Sequence, residues 1–144
     1  MAGNARSGFA LIGGWHRYIR ESDDALLVLS AADIERAKAE NKIGLILHCQ
    51  GTAIIEDELD LLDAYHAAGL RVVQLCYNRK NLIGDGAGER TDSGLSYFGL
   101  RVIERLNALN MLVDCAHTGY RTSMDAIEAS SAPVIISHAN AYAV

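Results

Sequence analysis

The chain has 144 residues, half of them hydrophobic, which suits one domain built round one sizeable core. A formal charge of −5 with no Lys/Arg run argues against nucleic acid or an anionic membrane surface as partner. No apolar run approaches the ~18 residues of a membrane span and no leader pattern follows Met1, while three widely spaced cysteines read as free thiols, so a soluble, cytoplasmic protein is the expectation.

In chain order, short apolar runs alternate with amphipathic segments, the pattern of an α/β fold. Leu11, Ile12, Trp15 and Ile19 predict an N-terminal helix over about 8–21, interrupted in propensity by Gly13-Gly14. Residues 26–29 predict a short strand, and Ser30 followed by Asp33 predicts a capping box opening a helix that ends near Asn41. The continuous apolar run Ile43-Gly44-Leu45-Ile46-Leu47 predicts a strand buried on both faces, with His48-Cys49-Gln50-Gly51 as the loop after it. Leu59, Leu62, Tyr65 and Ala68 recur at helical spacing, and Gly69 is placed to end that helix in a left-handed turn.

A second core strand is predicted over 71–77, followed by a polar, glycine-rich stretch from Asn78 to Ser93. Next comes a helix with Phe98, Val102, Ile103, Leu106 and Leu109 on one face, and then a third strand over 111–114. A helix carrying Met124 and Ile127 and a fourth strand, Pro133 to Ser137, complete the pattern. Right-handed crossovers would set these strands in parallel with their C-terminal ends together, where α/β enzymes gather their chemistry. The polar residues at those ends include Gln50, Tyr77, Asn78, Asp114, His117, Ser137, His138 and Asn140.

Imidazole is the commonest nitrogen ligand of zinc, and His117 and His138 follow consecutive apolar runs, which makes them the candidate metal pair. A competing reading makes Thr118-Gly119, at the next helix start, a phosphate site. The segment Gly84-Asp85-Gly86-Ala87-Gly88 lacks full phosphate-loop spacing and reads as a loop. Cys76 and Cys115 read as buried thiols.

The pair Asp114-Cys115-Ala116-His117-Thr118 and Ala132-Pro133-Val134-Ile135-Ile136-Ser137-His138 resembles the two histidine motifs of the membrane (renal) dipeptidase family of zinc metallopeptidases. Upstream, Asp92-Ser93-Gly94-Leu95-Ser96-Tyr97-Phe98-Gly99 is similar to that family's Gly-Leu-Ser/Thr-x-Phe-Gly helix start, and Gly69-Leu70-Arg71 to the turn before a core strand. The resemblance spans about Ser30 to Val144, and its motifs stand in the family's order.

What the resemblance implies is the central part of a (β/α) TIM-barrel-like fold, with about four core parallel strands and flanking helices. It implies one incomplete domain over 1–144, with core β/α units from about 43 to 144. It also implies a zinc-dependent hydrolase acting on dipeptides or small amides through a metal-activated water, with one or two ions in the complete enzyme. His117 and His138 fall on the family's two histidines for one metal. Gln50 falls on the bridging Glu position, Tyr77 on that of a substrate-binding His, and Asn140 beside the pocket. A neutral amide at Gln50 favours a single ion, since it supplies no anion to hold two dications together.

The family's upstream His-x-Asp has no counterpart before Ser30, and the chain stops before its substrate-binding Arg and its Asp acid/base. A catalytic acid/base is therefore not assigned, and a non-catalytic fragment or pseudoenzyme, acting as a binding or assembly module, is the alternative. Open sheet edges would favour self-association or a homodimer.

Overall fold

The computed structural model describes residues 3–140, and its elements follow the alternation read from the sequence. Helix α1 (Ala5–Glu21) starts three residues before the predicted boundary. The Asn4 side chain accepts the Ser7 amide at 2.9 Å while the Ser7 hydroxyl accepts the Asn4 amide at 2.8 Å, a reciprocal cap that fixes the first turn. Gly13 and Gly14 do not break it, because Phe9 stacks on Tyr65 with ring centroids 4.3 Å apart and Ile12 is buried.

Strand β1 (Ala25–Leu27) leads to α2 (Ala31–Ala39), where Asp33 reaches back to accept the Ser30 amide at 2.9 Å, as the capping box predicts. The apolar run from Ile43 does not form a single strand. It divides at Ile46 into β2 (Ile43–Leu45), which pairs in parallel with β1, and β3 (Leu47–Gln50), which pairs in parallel with β4 (Leu70–Gln74). His48, Cys49 and Gln50 therefore lie in a strand rather than a loop. A register shift between Leu47 and His48 accompanies the change of partner, as an irregularity in a ladder bends the strand that carries it.

Helix α3 (Asp60–Ala67) precedes β4 and ends at Gly69, whose φ of +101° is the left-handed conformation the sequence called for. Helix α4 (Tyr97–Ala108) leads into β5 (Leu112–Asp114), which pairs in parallel with β4, giving a three-stranded sheet in the order β3-β4-β5. Helix α5 (Tyr120–Ala129) closes the described elements, with Thr122 and Ala126 buried and the predicted face residues Met124 and Ile127 exposed. The expected fourth core strand is reduced to a single rung at Ile135, which donates to Val113 O at 2.9 Å and accepts from Cys115 N at 2.8 Å. Pro133 has no amide to extend that ladder.

Residues alternate between the two faces of a strand, so the register sorts this sheet into layers. Cys49, Val73 and Val113 share the face that packs with Leu62, Tyr65, Val102, Ile103 and Leu106 of the helices into one buried cluster. The opposite face carries two rungs, His48-Val72-Leu112 and, nearer the strand ends, Gln50-Gln74-Asp114. Polar side chains thus collect on one face at the C-terminal ends.

Candidate metal centre

Asp114 is the hub of that face. Its side chain is fully buried, and its two oxygens accept four contacts. Oδ1 takes the amides of Ala116 at 2.9 Å and Ser137 at 3.1 Å; Oδ2 takes the Ser137 hydroxyl at 2.6 Å and His48 Nε2 at 3.1 Å. These contacts use the acceptor capacity of an ionised carboxylate. Burial alone would raise the Asp114 pKa, but the Ser137 hydroxyl, the two amides and His48 together bring it below the ordinary aspartate value.

His48 arrives from β3, two strands away, across a span of about 10 Å set by strand spacing. Burial, opposed by the Asp114 charge and aided by that of His138, holds its pKa below the ordinary histidine value. At neutral pH the contact is accordingly a neutral imidazole N–H donated to a carboxylate rather than a full ion pair. The same hub ties down the segment that carries His138, whose Nδ1 lies 2.8 Å from the Ser137 hydroxyl oxygen.

His117 follows β5 in a left-handed backbone conformation, φ +58°, which costs on the order of 1 kcal/mol in a residue with a Cβ. Its carbonyl is held by the amides of Ala87 at 2.8 Å and Asn78 at 3.3 Å, both from the long connection between β4 and α4. Its Nδ1 lies 2.8 Å from Asn78 Oδ1, an acceptor, so the proton sits on Nδ1 and the lone pair on Nε2. His117 and His138 meet edge to face with centroids 4.8 Å apart, and Tyr77 packs on His117 with centroids 4.4 Å apart.

The predicted residues divide accordingly. His117, His138 and Tyr77 come together. Gln50 lies exposed at the end of β3, level with Gln74 and Asp114, and Asn140 is exposed; neither makes a side-chain hydrogen bond among the described residues. Among those residues no group of three or more His, Cys, Asp or Glu is gathered round one point, so the two imidazoles stand as a pair. Asp114, Ser137 and Asn78 carried no role in the sequence reading. Their signal was position alone, at strand ends beside the two histidines.

The phosphate reading of Thr118-Gly119 fails because the start of α5 is already filled. Asp92 accepts the amides of Arg121 at 2.6 Å and Thr122 at 3.3 Å and the Thr122 hydroxyl at 2.9 Å, placing a carboxylate where an anion would sit. The glycine-rich segment is equally committed. Asp85 is buried, accepts the Ser93 amide at 2.7 Å and pairs with Lys80 at 3.3 Å, while Gly86 forms an antiparallel bridge with Thr118. Burial pushes the thiols of Cys49 and Cys76 up to about 12 and that of Cys115 to about 11, which keeps all three protonated at neutral pH.

The sequence model described as membrane dipeptidase (peptidase family M19) matches residues 6–144. The chain belongs to the membrane dipeptidase family. Among its relatives, an uncharacterised dipeptidase of Schizosaccharomyces pombe is 33% identical over 132 residues, covering 88% of this chain and 32% of the relative. The dipeptidase tcpJ of Claviceps purpurea is 30% identical over 125 residues, 85% of this chain and 29% of that protein.

Among solved structures, an amidohydrolase of Pseudomonas aeruginosa superposes with a TM-score of 0.92 at 33% identity, covering 96% of this chain and 42% of that one. A metallopeptidase of Rhodobacter sphaeroides, solved with a phosphinate mimic of the dipeptide L-Ala-D-Ala, gives 0.91 at 26% identity, covering 97% and 42%. The chain thus spans about a third of the two relatives and about two-fifths of the two structures. Its sheet and helices are accordingly part of the TIM-barrel-like fold of membrane dipeptidases. No helix among the described residues is long and apolar enough to cross a membrane.

Proposed function

We propose that the chain is the part of a zinc-dependent hydrolase that carries one histidine pair of its metal centre, and that the whole protein cleaves the amide bond of dipeptides or related small amides. The observation that carries this reading is the meeting of His117 and His138 at 4.8 Å, with both Nδ1 atoms engaged by oxygens and both Nε2 atoms left over. Such outer partners are what orient metal-binding imidazoles. The donor set suits zinc, for which two nitrogens leave room for a further ligand and for water.

When bound, zinc supplies Lewis acidity toward a carbonyl and lowers the pKa of water. The chain's own residues do the rest of what this reading assigns. Asn78 and Ser137 orient the two imidazoles, and Tyr77 packs on His117 with a phenol free to donate to a substrate oxygen. Asn140 would add a hydrogen-bonding amide at the pocket edge. Gln50, with an amide where the family resemblance places a carboxylate, offers oxygen without charge, which favours one ion over two.

That same Gln50 supports the second reading, a non-catalytic binding or assembly module. Release of amino acids from dipeptides by the zinc-loaded protein would exclude it. For the leading reading, bound zinc is measured in the parent chain and in His117→Ala and His138→Ala. Near-stoichiometric metal in the parent and at least tenfold weaker binding in each variant are expected; undiminished metal in both removes the assignment.

A further inference from the structure

The hydroxyl of Ser137 has one proton and two neighbours that could take it. Asp114 Oδ2 lies at 2.6 Å and His138 Nδ1 at 2.8 Å. The shorter contact, to a buried carboxylate oxygen, claims the proton, because a hydrogen bond to an ionised acceptor is the stronger one. The hydroxyl oxygen is then left as an acceptor toward the imidazole, and His138 Nδ1 must carry hydrogen to face it. Free imidazole side chains prefer the other tautomer, with hydrogen on Nε2, so an exposed His138 without this contact would present its lone pair on the wrong nitrogen.

We propose that Ser137 is a positioning residue that relays the charge of Asp114 to His138, fixing the Nδ1–H tautomer and leaving the lone pair on Nε2. The assignment of that lone pair to zinc rests on the proposed function above; the relay itself does not.

The geometry makes the relay specific. Asp114 Oδ1 is committed to two backbone amides, those of Ala116 and Ser137, so the carboxylate cannot rotate and Oδ2 is held toward the hydroxyl. The Ser137 backbone and side chain are both bound to that one carboxylate, which leaves the hydroxyl little freedom. Ile135 joins the same segment to β5 through two backbone hydrogen bonds, so His138 is held by a short path to the very strand that precedes His117. Parallel strands with a buried carboxylate between their ends thus set a tautomer three residues beyond the last ladder rung.

The test is nitrogen-15 NMR of the imidazole rings in the metal-free chain at about pH 8.5, where unperturbed histidines are neutral. His138 in the parent chain is expected as the Nδ1–H tautomer. Ser137→Ala removes the acceptor and returns His138 to a majority of Nε2–H. Asp114→Asn gives the same reversal by a different route. The two backbone amides keep the Asn oxygen at the Oδ1 place and put its NH2 toward Ser137, whose proton then turns to His138 Nδ1. Ser137→Thr retains the hydroxyl at an exposed position and keeps the parent tautomer, with His117 as the unshifted internal reference in all three variants.

An Nε2–H majority in the parent, or a retained Nδ1–H tautomer in Ser137→Ala, overturns the relay. Zinc affinity measured by chelator competition should fall about ten- to a hundredfold in Ser137→Ala and recover in Ser137→Thr, the range for lost outer partners of a ligand. The two readouts separate the claims: a parent chain that binds no zinc but shows the expected tautomers refutes the metal assignment alone, whereas a zinc-binding chain with unchanged tautomers refutes the relay alone.

Discussion

The two sheets of this chain are built from the same kind of unit and do different work. In the three-stranded sheet, β4 is buried along nearly its whole length, and its helix-side residues join a cluster that includes Leu62, Tyr65, Ile103 and Leu106. The two-stranded sheet of β1 and β2 has a cluster of only Leu26, Val28 and Ala37, and Ile43 on β2 is 60% exposed. All the residues gathered round Asp114 belong to the first sheet and its connections. The two imidazoles held edge to face sit on the part of the molecule with the deeper core, and that dependence can be tested.

The largest effect is expected from the core itself. Leu106 is fully buried, so Leu106→Ala should destabilise by about 2–5 kcal/mol in urea unfolding. Leu26→Ala, in the small cluster, should fall at or below the low end of that range. Equal losses would mean that the two sheets share one core and the contrast is false.

A middling effect is expected at Asp92, whose carboxylate joins the β4–α4 connection to the start of α5 through Gly94, Arg121 and Thr122. Asp92→Ala should cost about 1–3 kcal/mol, since it leaves a helix N-terminus without its cap and the proton of the buried Thr122 hydroxyl without its acceptor. Hydrogen exchange should quicken first in the opening turn of α5. If it quickens instead throughout β1 and β2, the connection is not what secures this side of the molecule.

Helices were the more legible part of the sequence, because caps and periodicity are local. The Ser30-Asp33 box and the Gly69 stop are formed as read. The start of α1 was missed, since Asn4-Ser7 forms a capping box without an acidic partner. The face of α5 was read from Met124 and Ile127, but Asp92 draws Thr122 inward from a distant stretch of chain, and periodicity carries no trace of that. Strand pairing was least legible. An apolar run from Ile43 to Leu47 says that the segment is extended, yet nothing local tells that Leu45 and Leu47 serve different sheets.

At the candidate site, His117 and His138 were readable because each follows an apolar run. Asp114 was not, for a carboxylate at a strand end has the same sequence signature whether it faces solvent or four donors. Its role depends on His48, which only the register of β3, β4 and β5 brings within reach.

The smallest effect on stability, and the sharpest on behaviour, is expected on the exposed side of the two-stranded sheet. Leu11 is 69% exposed, and with Trp15, Tyr18, Ile43 and Leu45 it lines an apolar groove between α1 and the strands. Ile43→Lys removes an apolar side chain already mostly in water, so unfolding free energy should move by no more than about 0.5 kcal/mol. A charge in that row nevertheless opposes association through the groove or the sheet edge, the device by which natural edges discourage pairing. Light scattering should therefore show a smaller mean mass for Ile43→Lys than for the parent chain. Tyr120→Lys, at a still more exposed position on α5, should leave it unchanged. If both variants lower the mass alike, association follows net charge rather than the exposed row. If neither does, the shallow core of the two-stranded sheet is no route to self-association, and its apolar surface has no bearing on the assembly of this chain.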